Sequence, residues 1–161
     1  MARVRAVADT DAAAGLRRLT QVLLAFGLAG LSVELVLLEH YEDGWMLIPL
    51  AVITAAFICL LMVTTAASVR TLRVFRGVMW TMLASGLLGV VLHYRVGLEF
   101  QVDMDPTLSA TQLFWKVLHM KAPPALAPGA MAQLGLLGLI STYRHPAFRQ
   151  DASTVSTGGP S

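Results

Sequence analysis

The chain has 161 residues, of which 56% are hydrophobic and 14% charged, with a formal net charge of +2. This length suits one domain. A soluble domain carries about a quarter of its residues as charged side chains, so the composition indicates a membrane protein. The slight basic excess does not indicate nucleic-acid binding, because apolar blocks separate the arginines along the chain. The only cysteine, Cys59, excludes an internal disulfide and a cysteine-based zinc site.

Four apolar blocks predict four membrane-spanning helices, at about residues 19–38, 45–69, 77–93 and 125–143. About 20 apolar residues in a helix cross the hydrocarbon core of a bilayer. The block from Met46 to Val69 contains no charged side chain and meets this length with residues to spare. The predicted fold is therefore an all-α transmembrane bundle of four helices.

The transmembrane domain is expected to occupy residues 19–146, between two polar segments. Residues 1–18 are polar and basic, and we interpret them as a cytoplasmic segment before a first helix that is retained. The apolar run after them is long for a signal peptide, and no cleavage-site pattern follows it. Residues 147–161 are rich in Ser, Thr and Gly, which predicts a disordered cytoplasmic tail.

The basic residues are sorted to one side of the predicted membrane. Cytoplasmic loops carry an excess of Lys and Arg, which predicts that both termini face the cytoplasm. The Ala-, Leu-, Gly- and Arg-rich composition points to a bacterial inner membrane. The arginines of the predicted inner side are Arg3, Arg5, Arg17, Arg18, Arg70, Arg73, Arg76, Arg144 and Arg149. Arg95, Lys116 and Lys121 fall on the predicted outer side, together with most of the acidic residues.

The only long connection is the predicted outer loop, residues 94–124. Within it, Ser109 and Gln112 have the spacing of a capping box, which predicts the start of a short helix. About ten residues are too few to cross a bilayer, so this helix is expected to lie at the extracytoplasmic interface between the third and fourth spans.

Glu34 is an ionisable residue inside an apolar span, where such residues are costly and usually mark function or a demanding packing contact. Gly27 and Gly30 share its helical stripe, and small residues line contacts between membrane helices. This spacing predicts that Glu34 faces the interior of the bundle. Gly86 and Gly89 form the same kind of stripe.

That second stripe ends at His93, at the predicted outer end of the third span. Similar spacing on the fourth span makes Gly135 and Gly138 packing candidates as well. Carboxylate and imidazole groups bind divalent metals, so Glu34, His93 and His119 are candidate metal ligands. A contact between Glu34 and His93 that only stabilises the fold explains their placement equally well.

Haem b is a second candidate cofactor, because a helical bundle can hold haem between two histidines. The candidate ligands are His93, His119 and His40. The chain lacks HExxH, and no two histidines stand three or four residues apart. GxSxG and P-loop motifs are also missing, so the sequence favours no enzymatic reaction.

We therefore expect a non-catalytic structural or accessory subunit of a membrane complex. Its glycine faces would pack its own helices or those of other subunits or of a second copy, within the lipid bilayer. The alternative is a metal- or haem-binding redox module at the outer ends of helices 1, 3 and 4. A small transporter is the third option, which the scarcity of polar residues at the middle of the spans disfavours. Nucleic acid is not an expected partner.

Overall fold

The computed structural model describes residues 2–39, 44–120 and 126–148, and these residues form helices without any strand. The predicted ligand His40 and most of the predicted tail lie outside the described residues. A 3-10 turn at Gly44–Met46 leads into the second helix. The α-helices, in chain order, are α1 (Ala2–Leu37), α2 (Leu47–Thr65), α3 (Val69–Met104), α4 (Ala110–Leu118) and α5 (Leu126–Ser141).

Three stretches are long and apolar enough to cross a membrane, and they lie in α1, in α2 with its preceding turn, and in α3. The prediction of an all-helical membrane protein is confirmed to this extent. The helix α5 is apolar but has 16 residues. Because crossing a bilayer takes about 20 residues, the fourth predicted span stays a prediction.

Two helices extend well beyond the predicted spans. α1 begins at Ala2 instead of near residue 19, and α3 ends at Met104 instead of near residue 93. Hydropathy marks where apolar residues stop, whereas a helix continues until its backbone is interrupted. In α3 that interruption comes at Pro106, since proline disfavours helical geometry at the preceding residue. The predicted outer loop is therefore helical over its first part.

The helix starts of α3 and α4 are both capping boxes. At α4, the Ser109 hydroxyl accepts from the Gln112 backbone N–H at 3.4 Å, and the Gln112 side-chain oxygen accepts from the Ser109 N–H at 2.9 Å. Ser68 and Thr71 form the equivalent pair at α3. Each box satisfies backbone donors that the first helical turn leaves unpaired. The predicted short helix after residue 109 is confirmed.

The four longer helices form a ring. α1 packs against α2 and α5, α3 packs against the same two helices, and α4 packs on α3. The core lies at the centre of this ring, where buried apolar side chains recur every three or four residues along each helix. Its members are Leu24, Leu28, Leu31, Leu35, Ile53, Ala56, Cys59, Leu60, Val63, Leu72, Phe75, Met79, Met82 and Met131.

The closest contact in the ring joins α3 and α5, and glycines make it possible. A Cβ added to Gly86 would come within 2.5 Å of the Ala132 backbone N and 2.6 Å of the Pro128 carbonyl O. A Cβ added to Gly135 would come within 2.7 Å of the Leu83 backbone N. The two helices therefore touch backbone to backbone, which only a residue without a side chain allows. We call this contact the α3–α5 seam.

Candidate functional site

A small cavity of about 90 Å³ lies near the end of the bundle at which α1 finishes and α5 begins. We call this end the acidic end, because Glu34 on α1, Glu39 just after α1 and Glu99 on α3 lie there. The cavity is lined mainly by apolar side chains from α1, α2, α3 and α5. Its few polar members are Ser85 and the ring of His93.

The ring of His93 is held by its own helix. Its Nδ1 lies 3.0 Å from the carbonyl oxygen of Gly89. A carbonyl oxygen only accepts hydrogen bonds, so Nδ1 is the donor of this bond. His119 has the same arrangement, with its Nδ1 2.8 Å from the carbonyl oxygen of Trp115. Both predicted ligand histidines are therefore oriented by a backbone carbonyl, as metal-binding histidines often are.

His119 belongs to a separate aromatic row on α3 and α4. Ring centroids are 6.2 Å apart between Tyr94 and Phe114, 5.5 Å between Phe114 and Trp115, and 5.8 Å between Trp115 and His119. These spacings are in the range of favourable aromatic contacts. His119 lies at the far end of this row, in a shallow surface pocket with Leu108 and Lys116 among others. The cavity that His93 lines does not include it.

The row is anchored because α4 is seated on a glycine of α3. Val117 is fully buried, and a Cβ added to Gly97 would approach its Cγ1 to 3.1 Å and the Met120 sulfur to 3.3 Å. A short helix that is apolar on this side gains its contacts by packing on α3 and not by crossing a bilayer.

The predicted metal ligands are not brought together. Within residues 2–39, 44–120 and 126–148, no group of three His, Cys, Asp or Glu side chains is arranged to hold a metal ion. Glu34 is exposed, so the prediction that it faces the interior of the bundle is wrong. It lies about 10 Å along α1 from Gly27, at a rise of about 1.5 Å per residue, and this is the level at which α5 begins.

The glycine stripe of α1 is also divided between two surroundings. Gly27 packs against the side chain of Leu134 on α5, in the manner predicted. Gly30 is exposed, and a Cβ added to it would meet nothing within 4 Å. Successive positions three apart on a helix turn by about 60° from each other, which carries Gly30 away from α5. The expected packing of Gly30 within this chain is therefore not found.

Gly30 and Glu34 instead belong to an exposed side of α1, which we call the open face. Its apolar members are strongly exposed, with Phe26 at 79% and Leu37 at 77%. The alternating steps of three and four residues along it match the contact line between two packed helices. Hydropathy does not distinguish the open face from the other sides of α1, because nearly every residue of the span is apolar. The open face comprises Leu23, Phe26, Gly30, Val33, Glu34 and Leu37.

The other predicted packing glycines lie at helix contacts within the chain. Gly86 and Gly135 form the α3–α5 seam, Gly89 meets Pro128 at its edge, and Gly138 meets the Met79 side chain. Together these features define an all-helical protein with three helices suited to crossing a membrane. No protein-family model matches the chain, and searches of curated proteins and of solved structures find no similar protein.

Proposed function

We propose that this protein crosses the membrane four times and acts as a non-catalytic subunit of a membrane complex, binding a helix of a partner subunit on the open face of α1. The single observation behind this proposal is that Gly30 and Glu34 lie exposed side by side on a helix suited to crossing a bilayer. A glycine permits close approach by another helix, and a carboxyl group needs a hydrogen-bond partner there.

The cost of leaving Glu34 against lipid supports a covering partner. A charged carboxylate at the centre of a membrane helix costs about 2.5–3.5 kcal/mol on insertion scales, and less towards the interface. A hydrogen bond across a helix pair contributes about 1 kcal/mol, and burial beside Gly30 adds van der Waals contact. A partner helix with a hydrogen-bond donor opposite Glu34 would therefore offset the cost of placing this carboxyl group in the membrane. Lipid chains provide no such donor.

A different chain suits the open face better than a second copy. In a twofold dimer the same patch lies on both sides of the contact, so residues near the axis face themselves. Two Glu34 carboxyl groups would then face each other, and two like charges at short range repel. A partner with a hydroxyl, amide or basic side chain at this depth is the complement that the geometry favours.

Under the same proposal α5 is the fourth span, and the arginine-bearing end of the bundle faces the cytoplasm. Support comes from the position of α5 in the ring, where it packs along both α1 and α3. Single cysteines in place of Asp103 and Arg70, in a Cys59→Ala background, test the orientation. A membrane-impermeant maleimide applied to intact cells should label the first variant and not the second; the reverse pattern would overturn this orientation.

Site-specific photo-cross-linking tests the partner. A photoreactive residue at Phe26 of the open face should give one adduct of discrete mass in native membranes, which Gly30→Leu abolishes. The matched control is Leu61 of α2, which is similarly exposed, at 64%, and should give no such adduct. Equal adducts from both positions, or none from Phe26, would contradict the proposal. An adduct at twice the mass of this chain would identify a second copy as the occupant instead of a partner subunit.

A metal- or haem-binding role at the acidic end is a second candidate, favoured by the orientation of His93 and His119. Each ring is oriented by a hydrogen bond from Nδ1 to a carbonyl oxygen of its own helix, as ligand histidines often are. Metal analysis and an absorption spectrum of the purified protein test it. A bound metal or a haem band that His93→Ala removes and His145→Ala leaves would support this role.

A further inference from the structure

The end of the bundle opposite the acidic end carries an open groove of about 660 Å³. The last turns of α5 form its floor, and α1 and α3 form its walls, since α5 packs between them. We call it the basic groove. Its lining includes Arg17, Arg76, Trp80, Leu136, Ile140 and Arg144.

Three arginines from three separate segments meet at this groove. Arg17 comes from α1, Arg76 from α3, and Arg144 from the turn after α5. Among the residues that the structure describes, none of those lining the groove is an aspartate or a glutamate. Arginine presents a planar set of donors that matches phosphate oxygens, so such a convergence is suited to a phosphate group.

Aromatic rings and the backbone hold two of these arginines in place. The Arg76 guanidinium lies 5.9 Å from the centroid of the Phe148 ring, and that of Arg144 lies 5.4 Å from the centroid of Tyr143. Arg144 also has a φ of 49°, in the left-handed region that side-chain-bearing residues rarely adopt. Residues kept in such a conformation cluster at functional sites.

A nearby histidine responds to the positive field of this end. Burial lowers the pKa of His145, and the charge of Arg17 lowers it further. His145 follows α5 and is half-buried. The effect of Arg17 on it is what a basic groove without an acidic lining residue would produce.

The rest of the groove is mainly apolar, and several of its side chains are exposed. Trp80 is 57% exposed, Leu136 50% and Ile140 58%, and all three belong to helices of the membrane-spanning bundle. Charged groups at the rim above an apolar floor match a molecule with an anionic head and hydrocarbon chains. Basic pockets between membrane helices bind phospholipid head groups in this way. The groove also has the volume of an ordinary ligand site, about 300–1,000 Å³.

We propose that the basic groove binds an anionic phospholipid, with its phosphate on Arg17, Arg76 and Arg144 and its acyl chains along Trp80, Leu136 and Ile140. The inference requires that the helices lie in a bilayer, and it does not depend on a partner at the open face. A zwitterionic phospholipid carries a phosphate too, but its choline or ethanolamine group brings a positive charge to the arginines. Selection for anionic head groups is therefore the expected property.

Fluorescence of Trp80 provides the test. The chain has three tryptophans, so Trp45→Phe with Trp115→Phe leaves Trp80 as the only one. This variant is reconstituted in phosphatidylcholine vesicles containing a minor fraction of phosphatidylglycerol with brominated chains, which quench tryptophan on contact. Quenching should exceed that by the same fraction of brominated phosphatidylcholine. At about fivefold per arginine, Arg76→Gln with Arg144→Gln should lower the preference about 25-fold.

The control variant is Arg18→Gln with Arg70→Gln, which removes the same charge from exposed arginines outside the groove lining. It should change the preference less than about twofold, because only nonspecific attraction to the surface is reduced. Equal quenching by both brominated lipids would overturn the proposal, as would equal losses in the two double variants. Arg17→Gln supplies an independent second variant. Relief of quenching by inorganic phosphate would overturn the assignment to lipid.

Discussion

Two glycine faces of this bundle have similar sequences and different surroundings. On α3, Gly86 lies against the backbone of α5, and Gly135 on α5 lies against the backbone of α3. On α1, a Cβ added to Gly30 would meet nothing within 4 Å. A small residue determines how closely another helix can approach, but it does not determine which helix packs there. The α3–α5 seam is filled within the chain because both helices supply a glycine, whereas Gly30 on the open face of α1 has no such neighbour within the described residues.

Gly86→Ala should disrupt the α3–α5 seam and have the largest effect on the unfolding free energy. The added methyl group would lie within 3 Å of three backbone atoms of α5, which no side-chain movement can relieve. We expect a loss of about 2 kcal/mol or more in unfolding free energy, despite the better helix propensity of alanine. Titration with sodium dodecyl sulfate in mixed micelles measures it.

The control for that substitution is Gly77→Ala, on the same helix with nothing within 4 Å of the added group. It should raise the unfolding free energy by up to about 1 kcal/mol through helix propensity alone. If Gly86→Ala and Gly77→Ala changed the unfolding free energy in the same direction, Gly86 would not lie at a backbone contact.

Gly138→Ala tests a softer part of the same interface. The added methyl group meets the side chain of Met79 and not a backbone, and methionine readily adopts other rotamers. The unfolding free energy should fall by about 1 kcal/mol, less than for Gly86→Ala. A loss as large as that of Gly86→Ala in the same titration would mean that Met79 has no room to move.

Gly30→Ala tests the open face of α1. For the isolated chain in detergent we expect an increase in unfolding free energy of up to about 1 kcal/mol, because alanine is the better helix former and the added methyl group meets no neighbour. A loss of stability in the purified monomer would place Gly30 in a contact within the chain, and would remove the main support for the open face.

His145→Asn has the smallest expected effect and probes where α1 meets the end of α5. The folded pKa of His145 is lowered, by burial first and by Arg17 second, so the unfolded chain takes up the proton more readily. His145 thus contributes stability above its unfolded pKa, about 6.5, that is lost as the pH falls through the folded pKa. Its Nδ1 also accepts from the Ala147 N–H at 3.3 Å, which protonation removes.

Asparagine at this position retains an acceptor for that N–H and does not titrate. The Tm of the wild-type chain in detergent should therefore decrease from pH 7 to pH 5 by more than that of His145→Asn. Parallel pH profiles of the two proteins would show that His145 has the same pKa in the folded and unfolded chains.

Local signals in the sequence predicted local structure well. The spacing of Ser109 and Gln112 located the start of α4, because a capping box depends on a single turn of backbone. The apolar blocks located three helices suited to membranes. The end of α3 was missed, because hydropathy falls near residue 93 while the helix continues to Met104.

The arrangement of helices around the ring was beyond the sequence. The stripe through Gly27, Gly30 and Glu34 predicted one shared contact, but only Gly27 packs against α5, whereas Gly30 and Glu34 are exposed. The basic groove needed Arg17, Arg76 and Arg144 to converge from three separate segments. No spacing along one helix contains that information, since it depends on which helices become neighbours.

The length of α3 connects the α3–α5 seam to the acidic end. Met104 lies about 27 Å along the helix axis from Gly86, at about 1.5 Å per residue. If α3 pivots at the seam by about 10°, this geometry moves its far end sideways by about 5 Å. α4 packs on that end of α3 through the contact of Val117 with Gly97, and the aromatic row from Tyr94 to His119 lies on the same two helices. A tilt of α3 about Gly86 and Gly135 would therefore displace α4 and the aromatic row together.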